Sequence, residues 1–173
     1  MPVTANKLSF NCGFINLNHE RAASNLIEND VFQKDFDLIC LNEPYFYQGS
    51  ICGCPKGYKQ IDADVEPNVA FFIKNIFSFV KPEMERDIIA LMRNWNNTVY
   101  LIINIYCRAS GNIEDSMLKL EIICTRHIDK RIIIFGDFNA KSSAWSPRPR
   151  DERGRLDLEF ANKLDLLIEN NCD

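Results

Sequence analysis

Asp137 and Asn139 stand two positions apart in the run IIIFGDFNA, residues 132–140. Side chains on extended backbone alternate, so these two project to the same side of the chain. Glu43 follows a second apolar run, LICL, and Asn11 closes a first one that begins at residue 7. Three apolar runs that each end on a polar group suit one chemistry. A carboxylate is a hard oxygen ligand for an ion such as Mg²⁺, which takes one or two carboxylates and fills its shell with water and phosphate oxygens. A second carboxylate can hold a water or share a proton, and carboxamides can position phosphate oxygens. Each residue also has a plainer reading. Asp137 suits a turn after glycine, Glu43 a solvated position before proline, and Asn11 a satisfied strand end. Spacing alone leaves both readings open.

The elements that must carry these residues are legible as hydrophobic periods. Residues 7–12 alternate as a half-buried strand does. Ala23, Ile27 and Val31 recur every four residues and predict a helix over 18–32. Residues 37–41 form a short apolar strand, and 45–56 read as a loop. The runs 69–73 and 76–80, separated by Lys74-Asn75, predict a hairpin, and 86–93 with 98–106 predict a second about 94–97. Met117, Leu120 and Cys124 mark one face of a helix from residue 113, and Leu156, Phe160 and Leu164 mark that of a last helix. Leu166-Leu167-Ile168 reads as the start of another strand. Strands mixed with three helices, with antiparallel runs in the middle, favour a layered α/β domain with mixed or antiparallel sheets over strict βαβ winding.

Composition sets the outer bounds. A chain of 173 residues with 46% hydrophobic and 11% aromatic content is that of one folded domain with a sizeable core. Its formal net charge of −4 argues against a generally basic nucleic-acid binder and permits a local basic patch. No run approaches the ~20 apolar residues of a membrane span, and the first residues lack the pattern of a secretory signal. The seven cysteines are scattered. Cys12, Cys40, Cys107 and Cys124 sit in apolar runs as small core residues, and Cys52 and Cys54 have no zinc-spaced partners. An intracellular protein is expected.

Taken in order, FNCGFINL, DLICLNEPYF, LIINIYC and IIIFGDFNA resemble the motifs of the endonuclease/exonuclease/phosphatase superfamily. The segment from GDFNA through Trp145, the Arg153-Gly154 pair and the Leu/Phe-rich helix to IEN looks most like the endonuclease domains of non-LTR (LINE-type) retrotransposons. The resemblance covers nearly the whole chain. It implies a four-layer α/β sandwich, with two packed mixed or antiparallel sheets flanked by helices, and Mg²⁺- or Mn²⁺-dependent phosphodiester cleavage. Residue by residue, it implies Glu43 as metal ligand and Asn11 as support for metal and phosphate. Asp137 would orient or deprotonate the attacking water, Asn139 would hold the scissile phosphate, and Tyr106 would contact phosphate. It further implies DNA as partner, a reverse transcriptase in the same polyprotein, and a nuclear place of work.

Two departures from the family pattern stand out. Cys107-Arg108-Ala109-Ser110 follows Tyr106 without the family's Pro or Asn, and no late Asp or Ser-Asp-His occurs. The two histidines, His19 and His127, read as surface residues. The resemblance therefore implies that residues 1–173 form an incomplete domain lacking its last strands, with very weak activity. The superfamily also includes phosphatases, so the metal site does not name the substrate. Lys141, Arg148, Arg150, Arg153 and Arg155 around Trp145 lean toward DNA, because basic groups interleaved with an aromatic suit backbone contact and stacking. The plainer reading makes these a solvated helix start and a packing tryptophan. The alternatives carried forward are a non-catalytic remnant of the same fold and a phosphatase acting on another phosphate ester.

Overall fold

The computed structural model describes residues 9–63, 66–145 and 148–170. Its elements run β1 (Cys12–Asn16), α1 (Arg21–Lys34), β2 (Leu38–Asn42), β3 (Phe46–Tyr47), β4 (Ser50–Ile51), β5 (Tyr58–Asp62), β6 (Val69–Lys74), β7 (Val80–Glu85), β8 (Ile88–Trp95), β9 (Thr98–Tyr106), α2 (Ile113–Arg126), β10 (Arg131–Asp137) and α3 (Glu152–Lys163). One sheet has the order β1-β2-β6-β5, the other β10-β9-β8-β7, and β3 with β4 makes a separate ribbon.

The buried residues show how these pieces stack. Phe71, Ile73, Leu38 and Cys40 of the first sheet meet Ile89, Leu91 and Ile102 of the second, forming the seam between sheets. The other face of the second sheet, through Ala90, Leu101, Ile103 and Ile105, packs on Met117, Leu120 and Cys124 of α2 and Phe160 of α3. The outer face of the first sheet, through Ile39, Leu41, Ala70 and Phe72, packs on Ile27 of α1. The result is the four-layer α/β sandwich expected from the sequence. β2 and β6 are covered on both faces, which is why LICL and VAFFI read as continuous apolar runs rather than alternating ones.

Two buried asparagines tie the sheets together beneath one end. Asn42 Nδ2 donates to the Ile105 carbonyl across the seam at 2.9 Å. Asn104 Nδ2 donates back to the carbonyls of Leu41 and Ala70 at 2.9 and 3.0 Å. Both side chains are fully buried, so loss of these bonds would leave desolvated amides.

The structure corrects several expected elements. The first strand starts at Cys12 rather than residue 7; residues 7 and 8 lie outside the described residues, and 9–11 are not strand. The predicted hairpin about Lys74-Asn75 does not form, because β6 pairs with β2 and β5 while β7 pairs with β8 in the other sheet. Adjacency in sequence was mistaken for pairing at a crossing between layers. The second hairpin does form. β8 and β9 pair up to Trp95 with Thr98, and Asn96 and Asn97 both take positive φ, as a two-residue turn with the twist of the strands requires. The predicted loop at 45–56 contains the small β3–β4 ribbon. Residues 166–170 are irregular and exposed or half-buried rather than strand.

Candidate active site

The two parallel pairings aim four strand ends at one place. β1 and β2 run parallel with Asn16 opposite Asn42, and β9 and β10 run parallel with Tyr106 opposite Asp137. Each of these strands therefore delivers its last side chain, or the one just after it, to the same end of the sandwich. Glu43 follows Asn42 directly, and Asn139 lies two residues beyond β10.

The side chains form one connected cluster. Asn16 Nδ2 donates to Glu43 Oε2 and to Asp137 Oδ2, each at 2.9 Å, bridging carboxylates from the two sheets. The amide's orientation is set by its other end, since Asn16 Oδ1 accepts the Asn18 N–H at 2.8 Å. The Tyr106 hydroxyl donates to Glu43 Oε1 at 2.6 Å. Burial, and then the bond and charge of Glu43, push the Tyr106 phenol well up, so it remains a protonated donor at neutral pH. Asp137 Oδ1 accepts the Asn139 N–H at 2.9 Å, and Asn139 Nδ2 donates to the Cys107 carbonyl at 3.1 Å.

Strain concentrates here as well. Glu43 and Asn139 both take positive φ, 47° and 49°, as do Asn18 and His19 in the turn after β1. Left-handed backbone at a glutamate costs on the order of 1 kcal/mol and persists where surrounding bonds over-determine it. Gly136 has a packing reason of its own: a Cβ there would lie 2.4 Å from the Ile105 carbonyl oxygen.

The structure brings Glu43, Asp137, Asn139 and Tyr106 together and leaves out Asn11. Asn11 precedes β1, where its N–H donates to Asp37 Oδ2 at 2.9 Å beside the start of β2. A five-residue strand spans roughly 16 Å, so Asn11 lies at the opposite end of the sheet from Glu43. The asparagine of β1 that the structure places in this cluster is Asn16. Its signal was present: laid side by side as parallel strands, CGFIN and LICLN both end in asparagine at the same level.

The loop after β10 closes on itself. Asp151 caps α3 by accepting the Gly154 N–H at 2.7 Å and also accepts the Lys141 N–H at 3.0 Å. A Cβ at Gly154 would lie 1.9 Å from the Lys141 carbonyl oxygen, so the pair of ends meets only with glycine there. Lys141, Arg148 and Arg150 are exposed along the loop. Trp145 is half-buried, with Nε1 donating to the Ala140 carbonyl at 3.3 Å. Arg153, expected at the DNA, turns inward instead. Its guanidinium donates to the carbonyls of Asn139, Gly111, Cys107 and Phe138, at 2.9 to 3.2 Å. Those acceptors orient the segment carrying Asn139, so Arg153 is a positioning residue. Arg155 is held in ion pairs with Glu152 and Glu159 along α3.

The chemistry of the donor set fits a divalent ion. Glu43 and Asp137 share one amide, and neither forms an ion pair with Lys or Arg among the described residues. Among those residues no group of three His, Cys, Asp or Glu side chains converges closely enough to hold an ion unaided. An ion at Glu43 would therefore draw on water and substrate oxygens, as Mg²⁺ commonly does.

Comparison with known proteins agrees with the geometry. The solved endonuclease domain of TRAS1, a telomere-specific non-LTR retrotransposon, superposes with a TM-score of 0.82 at 17% identity, covering 95% of this chain and 75% of that one. A mannosyl-6-phosphatase of Bacteroides thetaiotaomicron superposes at 0.61 with 14% identity, over 90% and 71% of the two chains. The fold is that of the endonuclease/exonuclease/phosphatase superfamily. The catalytic domain of human Nocturnin, at 0.51 and 18% identity, covers 80% of this chain and 61% of that one. By sequence, the family Exo_endo_phos_2, described as endonuclease-reverse transcriptase, matches residues 100–172, the part of the endonuclease/exonuclease/phosphatase fold from β9 onward. No curated protein matches. No helix among the described residues is long and apolar enough to cross a membrane.

Proposed function

We propose that this chain is a metal-dependent, DNA-nicking endonuclease unit of the kind encoded with a reverse transcriptase in non-LTR retrotransposons, acting on chromosomal DNA in the nucleus. The observation that carries the reading is the Asn16 amide joining Glu43 and Asp137 at converging strand ends. A bound Mg²⁺ or Mn²⁺ would offset phosphate charge and stabilise the departing oxygen. Glu43 would hold the ion, and Tyr106 keeps the carboxylate turned toward it. Asp137 has acceptor capacity beyond the Asn16 and Asn139 bonds and can orient an attacking water. Asn139 holds the scissile phosphate through the amide hydrogen that Cys107 does not take. Lys141, Arg148 and Arg150 favour a nucleic-acid backbone over a small phosphate ester.

His127 sits at the C-cap of α2 and His19 lies against Glu43, so neither histidine is placed to exchange a proton at Asp137. A missing acid or base typically costs roughly 10²–10⁴-fold in rate. With no imidazole placed at Asp137, nicking should therefore be slow. The test is nicking of supercoiled plasmid with Mg²⁺ or Mn²⁺, beside duplex binding at rising salt. Expected are slow nicking that Glu43→Gln abolishes and affinity that falls steeply with salt. Equal cleavage by both proteins would overturn the enzyme reading, and salt-insensitive or absent duplex binding would overturn DNA as substrate.

A further inference from the structure

His19 is exposed, as expected of a surface histidine, and it also stands beside Glu43. Its Nε2 lies 3.7 Å from Glu43 Oε1, and its side chain is 55% exposed against 17% for Glu43. The other ring nitrogen, Nδ1, lies 3.1 Å from the Pro44 carbonyl oxygen. A carbonyl can only accept, so Nδ1 carries the hydrogen and Nε2 presents a lone pair beside the carboxylate. An imidazole whose far nitrogen donates to a carbonyl, with the near one left open, has the arrangement of metal-binding histidines.

The backbone holds this arrangement in place. The His19 N–H donates to the Glu43 carbonyl at 2.7 Å, and Leu17 N–H to that of Asn42 at 2.8 Å. Between them Asn18 and His19 take positive φ, 49° and 54°, an uncommon pair outside glycine. The turn thus spends strain to bring the ring over Glu43. Adjacent oxygen and nitrogen ligands on a six-coordinate ion stand about 3 Å apart. The observed 3.7 Å is closed by a small rotation of an exposed ring.

We propose that His19 Nε2 is a second protein ligand at this site, and that with Glu43 it selects a first-row transition ion, such as Mn²⁺ or Co²⁺, over Mg²⁺. Mg²⁺ prefers oxygen and gains little from imidazole, whereas transition ions bind nitrogen increasingly well along the series from Mn²⁺. The inference rests on the metal-binding role given to Glu43 above.

The experiment compares wild type, His19→Asn and Glu43→Gln by Mn²⁺ electron paramagnetic resonance, Co²⁺ visible absorption and calorimetric Mg²⁺ titration. Asparagine tolerates positive φ and its amide can still donate to Pro44, so the turn survives while Nε2 is lost. Wild type should show ¹⁴N coupling to Mn²⁺. His19→Asn should lose it, together with at least the roughly 10-fold of affinity that even an outer-shell partner contributes. Its Mg²⁺ affinity should change little, and Glu43→Gln should lose all three ions. If Glu43→Gln loses metal but wild type shows no ¹⁴N coupling, or if His19→Asn binds Mn²⁺ and Co²⁺ as wild type does, His19 is not a ligand and the proposed function stands. If wild type binds none of the ions, both readings fall.

Discussion

The two ends of the sandwich solve opposite electrostatic problems. At the end where β1, β2, β9 and β10 finish, Glu43 and Asp137 approach through Asn16, and no Lys or Arg among the described residues pairs with either. At the other end, Arg93 on β8 is enclosed by aromatic rings, 4.1 Å from the Phe77 centroid, 5.2 Å from Phe10 and 5.5 Å from Phe79. Its buried Nε and Nη1 have no hydrogen-bond partner among the described residues, and burial pulls its pKa down. Trp95 and Tyr100 extend the same aromatic group. The cation is thus stabilised by ring faces, with the charge of Asp37 adding to them. One end concentrates negative charge without a Lys or Arg beside it among the described residues and suits a ligand. The other encloses Arg93 in aromatic packing and suits stability.

Substitutions should separate the ends by what they change. The largest effect falls at the site end, where Glu43→Gln should remove nicking while the free energy of unfolding holds or rises, because the carboxylates of Glu43 and Asp137 then no longer repel each other across Asn16. Parallel plasmid nicking and urea unfolding measure both quantities, and a large fall in stability would break the contrast. Arg153→Lys stands between the two kinds of effect. A single ammonium cannot satisfy carbonyls spread over Cys107, Gly111, Phe138 and Asn139. The variant should lose on the order of 3 kcal/mol of stability and part of its turnover, since Asn139 is then less well held. At the far end, Arg93→Ala should cost about 2–3 kcal/mol, from the ring contacts and the packed stem. Its nicking rate per folded molecule should match wild type; a slower rate would show that the ends are coupled.

These contrasts explain what was legible in the sequence and what was not. The layers were readable because IIIF, LICL and VAFFI are bounded apolar runs whose burial leaves few architectures. Glu43, Asp137, Asn139 and Tyr106 were readable because each ends or follows such a run. Asn16 was missed because the first strand was phased five residues early, and only its parallel pairing with β2 fixes where it ends. His19 is exposed, as the sequence leads one to expect; its place beside Glu43 depends on two left-handed residues, which leave no period. Arg153 was misassigned because charge in a loop says nothing of direction, and its acceptors are backbone carbonyls invisible to side-chain patterns. The crossing from β6 to β7 looked like a hairpin because two apolar runs read alike whether they pair or pass between layers.

The smallest expected effect concerns a carboxyl on the flank of the site end. Asp157 of α3 lines a groove of about 460 Å³ with Trp145, Phe14, Phe160 and the edge of β10. Burial pushes its carboxyl up from 3.8 to about 6. Below pH 3.8 both folded and unfolded chains hold the proton, and Asp157 leaves stability unchanged. As pH rises toward about 6, the unfolded chain releases its proton first, so stability falls, and above that the penalty is complete. Asp157→Asn should therefore match wild type near pH 3.5 and exceed it by on the order of 1–2 kcal/mol at pH 7.5, after allowance for solvent screening. Urea unfolding at the two pH values measures the difference. An equal gain at both would assign the effect to packing in the groove rather than to charge. A gain only at neutral pH would show that this end carries negative charge at a cost to stability, whereas the aromatic end holds Arg93 among ring faces as part of what keeps the sandwich closed.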